Sequence, residues 1–441
     1  MLPTTYKILL VALLVTAHFA SAQKGPHQTR LAVVELNKKY GYVNETGQEV
    51  IPLKYDEAHI FSGNLTGVKL GGKWGLIDKT GQVVIPLEYD NVVDFHEGLA
   101  SVMLGGKAGY IDRTGQVVIP PKYEWAGTFH EGLAPVVLDG KMGYIDRTGQ
   151  VVIPLKYDDS FNSFGFFYSK DLARVALGGK LGFIDKTGQE VIQLKYDEAN
   201  NFSKGLAKVK LGGKWGFIDE TGQEVIPLKY DNIEDFSENL ARVKLGGKWG
   251  LIDKTGQVVI PLEYDNVVDF SEGLASVRLG GRAGHVNKKG QVVIPFKYEG
   301  AGGFSEGLAP VVLDGKVGYV NKTGQVVIPL KYEVARIFSE GLASVKLGGK
   351  WGLIDKRGQK VIPLKYDWEI DFYEGLASVR LGSKSGFINK KGQVVIPLKY
   401  EVAKIFSEGL APVKLGGKWG FIDRTGQVVI PLNYDRVFNF W

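Results

Sequence analysis

The chain has 441 residues, with 54 Lys and Arg against 48 Asp and Glu, 44% hydrophobic residues and no cysteine. The missing cysteine excludes a disulfide framework, a thiolate metal site, a cysteine nucleophile and a lipidated cysteine. A formal charge of +6 over this length is too mild to argue by itself for nucleic acid, and no nucleic-acid partner is expected.

The first element is "MLPTTYKILLVALLVTAHFASAQKG", where Lys7 precedes an apolar run from Ile8 to Ala17 and small residues follow at Ala20 and Ala22. It reads as a signal peptide over residues 1–22, cut after Ala22, with a short linker over residues 23–30. The run is shorter than the roughly 20 apolar residues a spanning helix needs, and no later segment approaches that length. Export to the periplasm, cell surface or exterior is expected, with no transmembrane segment after cleavage.

From Leu31 onward one pattern recurs. Its reference glycines are Gly41, Gly75, Gly109, Gly143, Gly182, Gly216, Gly250, Gly284, Gly318, Gly352, Gly386 and Gly420. Every step is 34 residues except the 39 between Gly143 and Gly182, where "SFNSFGFFYSKD" carries a five-residue insertion within residues 160–171. Such periodicity marks a repeat architecture.

Within a unit such as "ASVMLGGKAGYIDRTGQVVIP" the order of elements is legible. A strand ending at Leu104 meets Gly105-Gly106, a two-residue hairpin signal because both turn positions take φ > 0. A second strand from Lys107 reaches Asp112, whose side chain can bond the backbone of the next turn while Gly115 takes the left-handed position. The glycine excess, 59 residues against an average share of about 7%, is thus largely turn geometry. A third strand follows to Pro120, where the missing N–H predicts that the strand ends or lies at an edge. The connector "YDNVVDFHEGLA", Tyr89 to Ala100, is either a fourth short strand or a tight crossover. No later segment has helical spacing, so the class is all-β.

The residues of "GKWGLIDKTGQVVIPLEYD" resemble the bacterial WG-repeat (KWG-repeat) family: Trp-Gly, Ile-Asp, a turn Gly, Val-Ile-Pro and Tyr-Asp. The resemblance runs from about Leu31 to Trp441. It implies tandem β-rich repeats, often in exported proteins, and supplies no catalytic residues. The fold expected is a tandem array of twelve antiparallel β-meander units, each of about 34 residues. Near-copies such as Gly71–Gly149 and Gly246–Gly324 suggest growth by whole units, which favours an open superhelical stack. One or two β-propellers are the alternative.

The candidate chemistry is sparse. Asp90, Asp94 and Glu97 share a connector, as do Asp265, Asp269 and Glu272, but they recur around the array where an enzyme needs one site. No enzyme, cofactor or metal site is expected. His59, His96, His130 and His285 lack ligand spacing and read as surface substitutions. A Lys or Arg precedes the Trp slot in every unit, and five units hold Trp in that slot. The candidate binding surface is therefore Trp74, Trp215, Trp249, Trp351 and Trp419 with Lys73, Lys214, Lys248, Lys350 and Lys418. To these the insertion adds an aromatic patch at Phe164, Phe166 and Phe167. The function expected is an exported, non-enzymatic scaffold for protein–protein interaction at the cell envelope. Glycan or cell-wall polymer binding through the Trp and Lys columns is the alternative.

Overall fold

Three positive-φ turns per unit fold the chain back on itself into small antiparallel sheets. The computed structural model describes residues 30–93, 95–158, 172–438 and 440. The expected signal peptide and the insertion at residues 159–171 lie outside them. Among the described residues there are twelve sheets and no helix, eleven sheets having four strands and one having three. We number them blades 1–12 by their reference glycines, Gly41 to Gly420.

Blade 2 is typical: Glu57–Ala58, Leu65–Leu70, Lys73–Asp78 and Val83–Tyr89, each antiparallel to the next. Gly71 and Gly72 sit at φ 60° and 83°, as the two-residue hairpin requires. In the next turn Asp78 Oδ1 accepts from the backbone N–H groups of Thr80 and Gln82, at 2.8 and 3.0 Å, and from the Thr80 hydroxyl at 2.6 Å. Gly81 there has φ 84°.

The connector is a fourth strand ending in a second hairpin. In blade 3, Asn91–Val92 pairs with the strand Leu99–Leu104, and His96 and Leu99 exchange backbone hydrogen bonds around Glu97 (φ 50°) and Gly98 (φ 88°). The third strand does not stop at its proline. Trp74 opposes Tyr89 and Leu76 opposes Ile85, so one residue faces three and Pro86 lies in a bulge, where no ladder N–H is needed. The bulged backbone crosses directly over Gly75. A Cβ there would lie 2.5 Å from the Ile85 carbonyl oxygen, and all twelve reference glycines meet the same obstacle.

Adjacent blades interlock through the same turns: Gly81 of blade 2 packs on Ile51 of blade 1, and Gly115 of blade 3 on Ile85 of blade 2. The residue after each reference glycine fills the core, often against a ring from the next blade's connector, as in Tyr42–Phe61 and Phe217–Phe236, both 5.0 Å between centroids.

The array is closed, and the open stack is replaced by a propeller-like ring of twelve blades. A unit's short strand is supplied by residues that follow the preceding unit's Tyr, so blade 1 draws its fourth strand from Arg436–Val437, which pairs with Leu31–Leu36. Phe438 N–H donates to the Val33 carbonyl at 3.0 Å and Asp435 N–H to that of Glu35 at 2.8 Å. Ala32, Val34 and Val43 share one apolar cluster with Phe421, Ile430, Val437 and Phe440, and Gly47 packs on Ile430 as Gly81 does on Ile51.

Candidate binding surface

The register separates the two ends of every blade. Leu70 opposes Lys73 beside the Gly-Gly hairpin, while Leu65 opposes Asp78 beside the connector's hairpin, Gly63-Asn64 here and Glu-Gly in most blades. One face of the ring thus carries the Gly-Gly hairpins, and the other carries the Glu-Gly hairpins with the Asp-bearing turns.

On the Gly-Gly face the lysines before the Trp slot are engaged. Lys73, Lys214, Lys248 and Lys418 bind Asp90, Asp231, Asp265 and Asp435 at 2.5–2.6 Å, and Lys350 binds Asp367. The second oxygen of such a carboxylate accepts a turn N–H of the next blade, as in Asp231 to Gly246 at 2.7 Å. The lysine, followed by these amides, holds the Asp231 and Asp265 carboxyls below the ordinary value. Where Glu follows the core tyrosine, its longer side chain still reaches the next hairpin, as Glu299 does to Gly315 at 3.0 Å. Lys107, Arg282, Lys316 and Lys384 of those blades form no ion pair among the described residues. The Lys column therefore contributes free charge only in these four blades, since Lys39, Lys141 and Lys180 of the other Trp-less blades pair with Asp56, Asp158 and Asp197, and the signal for it in the sequence is Tyr-Glu in place of Tyr-Asp.

The five Trp rings are covered. Trp74 and Trp351 are buried, and the other three are half-buried. Lys69 and the His59 ring lie over Trp74, Lys208 and Lys210 over Trp215, Arg242 and Lys244 over Trp249, Arg336 over Trp351, and Lys404 and Lys414 over Trp419, at 4.6–6.0 Å. Trp368, in a connector and half-exposed, was not singled out by the repeat pattern. Phe164, Phe166 and Phe167 lie outside the described residues.

The leucine before the first hairpin of each blade, Gly-Gly in eight of the twelve, is also outside the sequence-based set. It is Leu in all twelve units, from Leu36 to Leu415. In eight blades it is between 36% and 45% exposed, with its cross-strand neighbour the Lys or Arg of the basic column. The ring thus presents a circular row of aliphatic side chains beside charged ones.

The connector acids part company. Asp90 lies on the Gly-Gly face, whereas Glu97 on the opposite face accepts from the Glu131 and Gly132 N–H groups of the next blade, at 2.6 and 3.0 Å, and from Arg147 at 2.7 Å. Asp94 lies outside the described residues. Glu272, Glu306 and Glu374 repeat the arrangement with Lys322, Lys356 and Arg424. Blade 11 departs from its neighbours. Its connector places Ile370 in the core without the usual short strand at 368–369, and a cavity of about 510 Å³ opens beside Arg336, Glu340, Leu353, Asp371 and Tyr373. Burial, then the nearby Glu369, raises the Asp371 carboxyl above its ordinary value.

His285 is not a surface substitution: it is fully buried in the slot that holds Tyr or Phe in most blades, with Nε2 2.8 Å from the Gly302 carbonyl. Burial pushes its imidazole below the ordinary value. His96 and His130 of adjacent blades lie 5.8 Å apart between ring centroids. Among the described residues no cluster of three or more His, Asp or Glu is placed to hold a metal ion, and no helix is long and apolar enough to cross a membrane.

Comparison with known proteins returns the repeat. The model of the "WG containing repeat" matches twelve times in succession, from residues 40–74 through 215–249 and 249–282 to 419–440. No curated protein matches the chain. Among solved structures, a eukaryotic initiation factor is 13% identical with a TM-score of 0.35, over 68% of this chain and 94% of that one. BamB of Moraxella catarrhalis is 15% identical at 0.25, over 67% and 95%, and PorZ of Porphyromonas gingivalis is 11% identical at 0.23, over 85% and 58%.

Proposed function

The chain belongs to the WG containing repeat family, and from that premise we propose that it is an exported, non-enzymatic scaffold whose Gly-Gly face binds a protein partner at the cell envelope. The observation that carries this reading is the row of exposed leucines. Apolar side chains repeated along one face beside ion pairs have the composition of an interaction surface, and internal packing gives no reason to leave them out. Export rests on the charge and apolar pattern of residues 1–22. The absence of catalysis is supported by the acids, which recur in blade after blade and are spent on ion pairs and turn amides.

Glycan binding along the whole column is less favoured, because sugar stacking needs an open ring face and each of these Trp rings lies under a cation. The test is capture of a partner from envelope extract by the purified ring. Wild type should recover the same protein reproducibly, and a variant with Leu70, Leu104, Leu245 and Leu279 changed to Ser should lose it while keeping its melting temperature. Equal capture by both proteins sinks the assignment to this face, and no reproducible capture sinks the protein-binding reading itself.

A further inference from the structure

The ring repeats one arrangement, a Trp under one or two cations, and departs from it electrostatically at one place. Over Trp74 the amine of Lys69 is held by Glu57 at 2.7 Å, and over Trp215 that of Lys210 is held by Glu198 at 2.8 Å. Over Trp249 Arg242 binds Glu234 at 3.1 Å, and over Trp351 Arg336 binds Glu369 at 2.6 Å. At Trp419 the pattern fails: Lys404 and Lys414 lie 4.9 and 6.0 Å from the ring, and neither meets a carboxylate among the described residues.

The cause is in the sequence. The slot filled by Glu57 in blade 2 and Glu198 in blade 6 holds Val402 in blade 12 and Arg436 in the blade that closes the ring. Lys404, Lys414, Trp419 and Arg436 line a cavity of about 770 Å³ with Ile60, Val437 and Phe438. Its one acid, Asp435, is taken by Lys418 at 2.5 Å and by the Asn37 N–H at 2.7 Å. Arg436 reaches Glu35 outside the lining only at 3.6 Å. The cavity therefore combines three cations of unmet or weakly met charge with an apolar wall in which Ile60 and Phe438 are 43% and 42% exposed. Neighbouring like charges with no counter-ion favour an anion between them, and the volume suits a small organic molecule.

We propose that the cavity at the ring closure is a binding site for an organic anion, a carboxylate or phosphate carried on an apolar or ring-shaped body. The anion replaces the missing Glu between Lys404 and Lys414, and the body lies against Ile60, Val437 and Phe438. This site is independent of the leucine row and takes a different class of ligand.

The test is calorimetric titration of the full chain at low salt with phenyl phosphate, benzoate, inorganic phosphate and benzyl alcohol. Phenyl phosphate and benzoate should bind saturably, and each of the last two, lacking one half of the ligand, at least about tenfold more weakly. The double change Lys404→Gln, Lys414→Gln should weaken phenyl phosphate by about tenfold or more. Val402→Glu should do the same with both lysines present, because it rebuilds the acid that blades 2 and 6 carry. Should the double variant fail to fold, Val402→Glu decides alone. The proposal is overturned if wild type shows no saturable binding of either organic anion, if inorganic phosphate binds as tightly as phenyl phosphate, or if Val402→Glu leaves the affinity unchanged.

Discussion

A glycine can be required for two reasons, and this chain separates them residue by residue. Gly247 sits at φ 81° with open space around the position of a Cβ, so its need is conformational. Gly250, three residues on, has an ordinary φ, but a Cβ there would lie 2.5 Å from the Ile260 carbonyl oxygen and 2.9 Å from that of Pro261. Backbone cannot rotate aside as a side chain can. Gly247→Ala should therefore cost about 1 kcal/mol, whereas Gly250→Ala must push two strands apart and should cost about 2–4 kcal/mol. Urea unfolding followed by the CD of the sheets would rank them; equal midpoints for the two variants would remove the steric account. The close approach was legible in the sequence, since no unit varies this glycine while its Trp neighbour is replaced freely. What it approached was not, because the bulge at Pro261 is a property of the pair of strands.

At the scale of the element, hairpins are held by carboxylates borrowed from elsewhere, as Gly246 is by Asp231 and Gly132 by Glu97, and this sets an acid limit on the fold. Asp90, Asp231 and Asp265 are held below the usual carboxylate range by a lysine and then by hairpin amides; Glu272, Glu306 and Glu374 are held below it by a Lys or Arg. A group whose folded-state pKa is depressed stabilises the fold fully above its unfolded value, near 4, and loses that contribution as pH falls through the folded value. Melting temperature should accordingly be flat with respect to these groups above about pH 5 and decline steeply below about pH 4, more gently at 1 M salt, where exposed pairs are screened. A melting temperature unchanged down to pH 2 would show that the carboxylates do not couple the blades.

The same scale explains which turns are legible in the sequence. Gly-Gly and Asp-X-X-Gly turns are local and were readable from neighbouring letters. The Glu-Gly hairpin is not legible within the connector because Glu97 occupies a left-handed position that its residue type seldom takes. The lysine column looked free because Lys73 and Asp90 are 17 residues apart and meet only across a bulged strand.

For the whole molecule the decisive quantity is the rotation from one blade to the next, about 30° for a ring of twelve. It accumulates from sub-ångström differences in interlocking and leaves no mark in any one unit, which is why the near-identical copies favoured an open array. Closure did leave a mark in charge. Lys or Arg follows the turn Asp or Asn in blades such as 4, 9, 10 and 12, placed to reach the Glu of the preceding blade. Blade 1 has Glu45 there, which would face Glu408 of blade 12; Arg30 stands between them and pairs with both. The ring is held shut by the strand pairing of Val34 with Val437, by the apolar cluster packed beneath it and by this three-residue bridge. Removing residues 435–441 deletes the fourth strand of blade 1 and exposes Val33 and Val34 along an unpaired edge. The truncated protein should keep its β-sheet CD, since eleven blades keep all their strands. Its radius of gyration by small-angle scattering should rise as the ring springs open, with concentration-dependent association through the freed edge. Arg30→Glu leaves the strand intact and sets three acids together, so it should lower the melting temperature modestly and more so at low salt. A truncated protein with unchanged radius and no association would mean that blade packing alone fixes the curvature, and the closing strand would then be a consequence of the ring and not its cause.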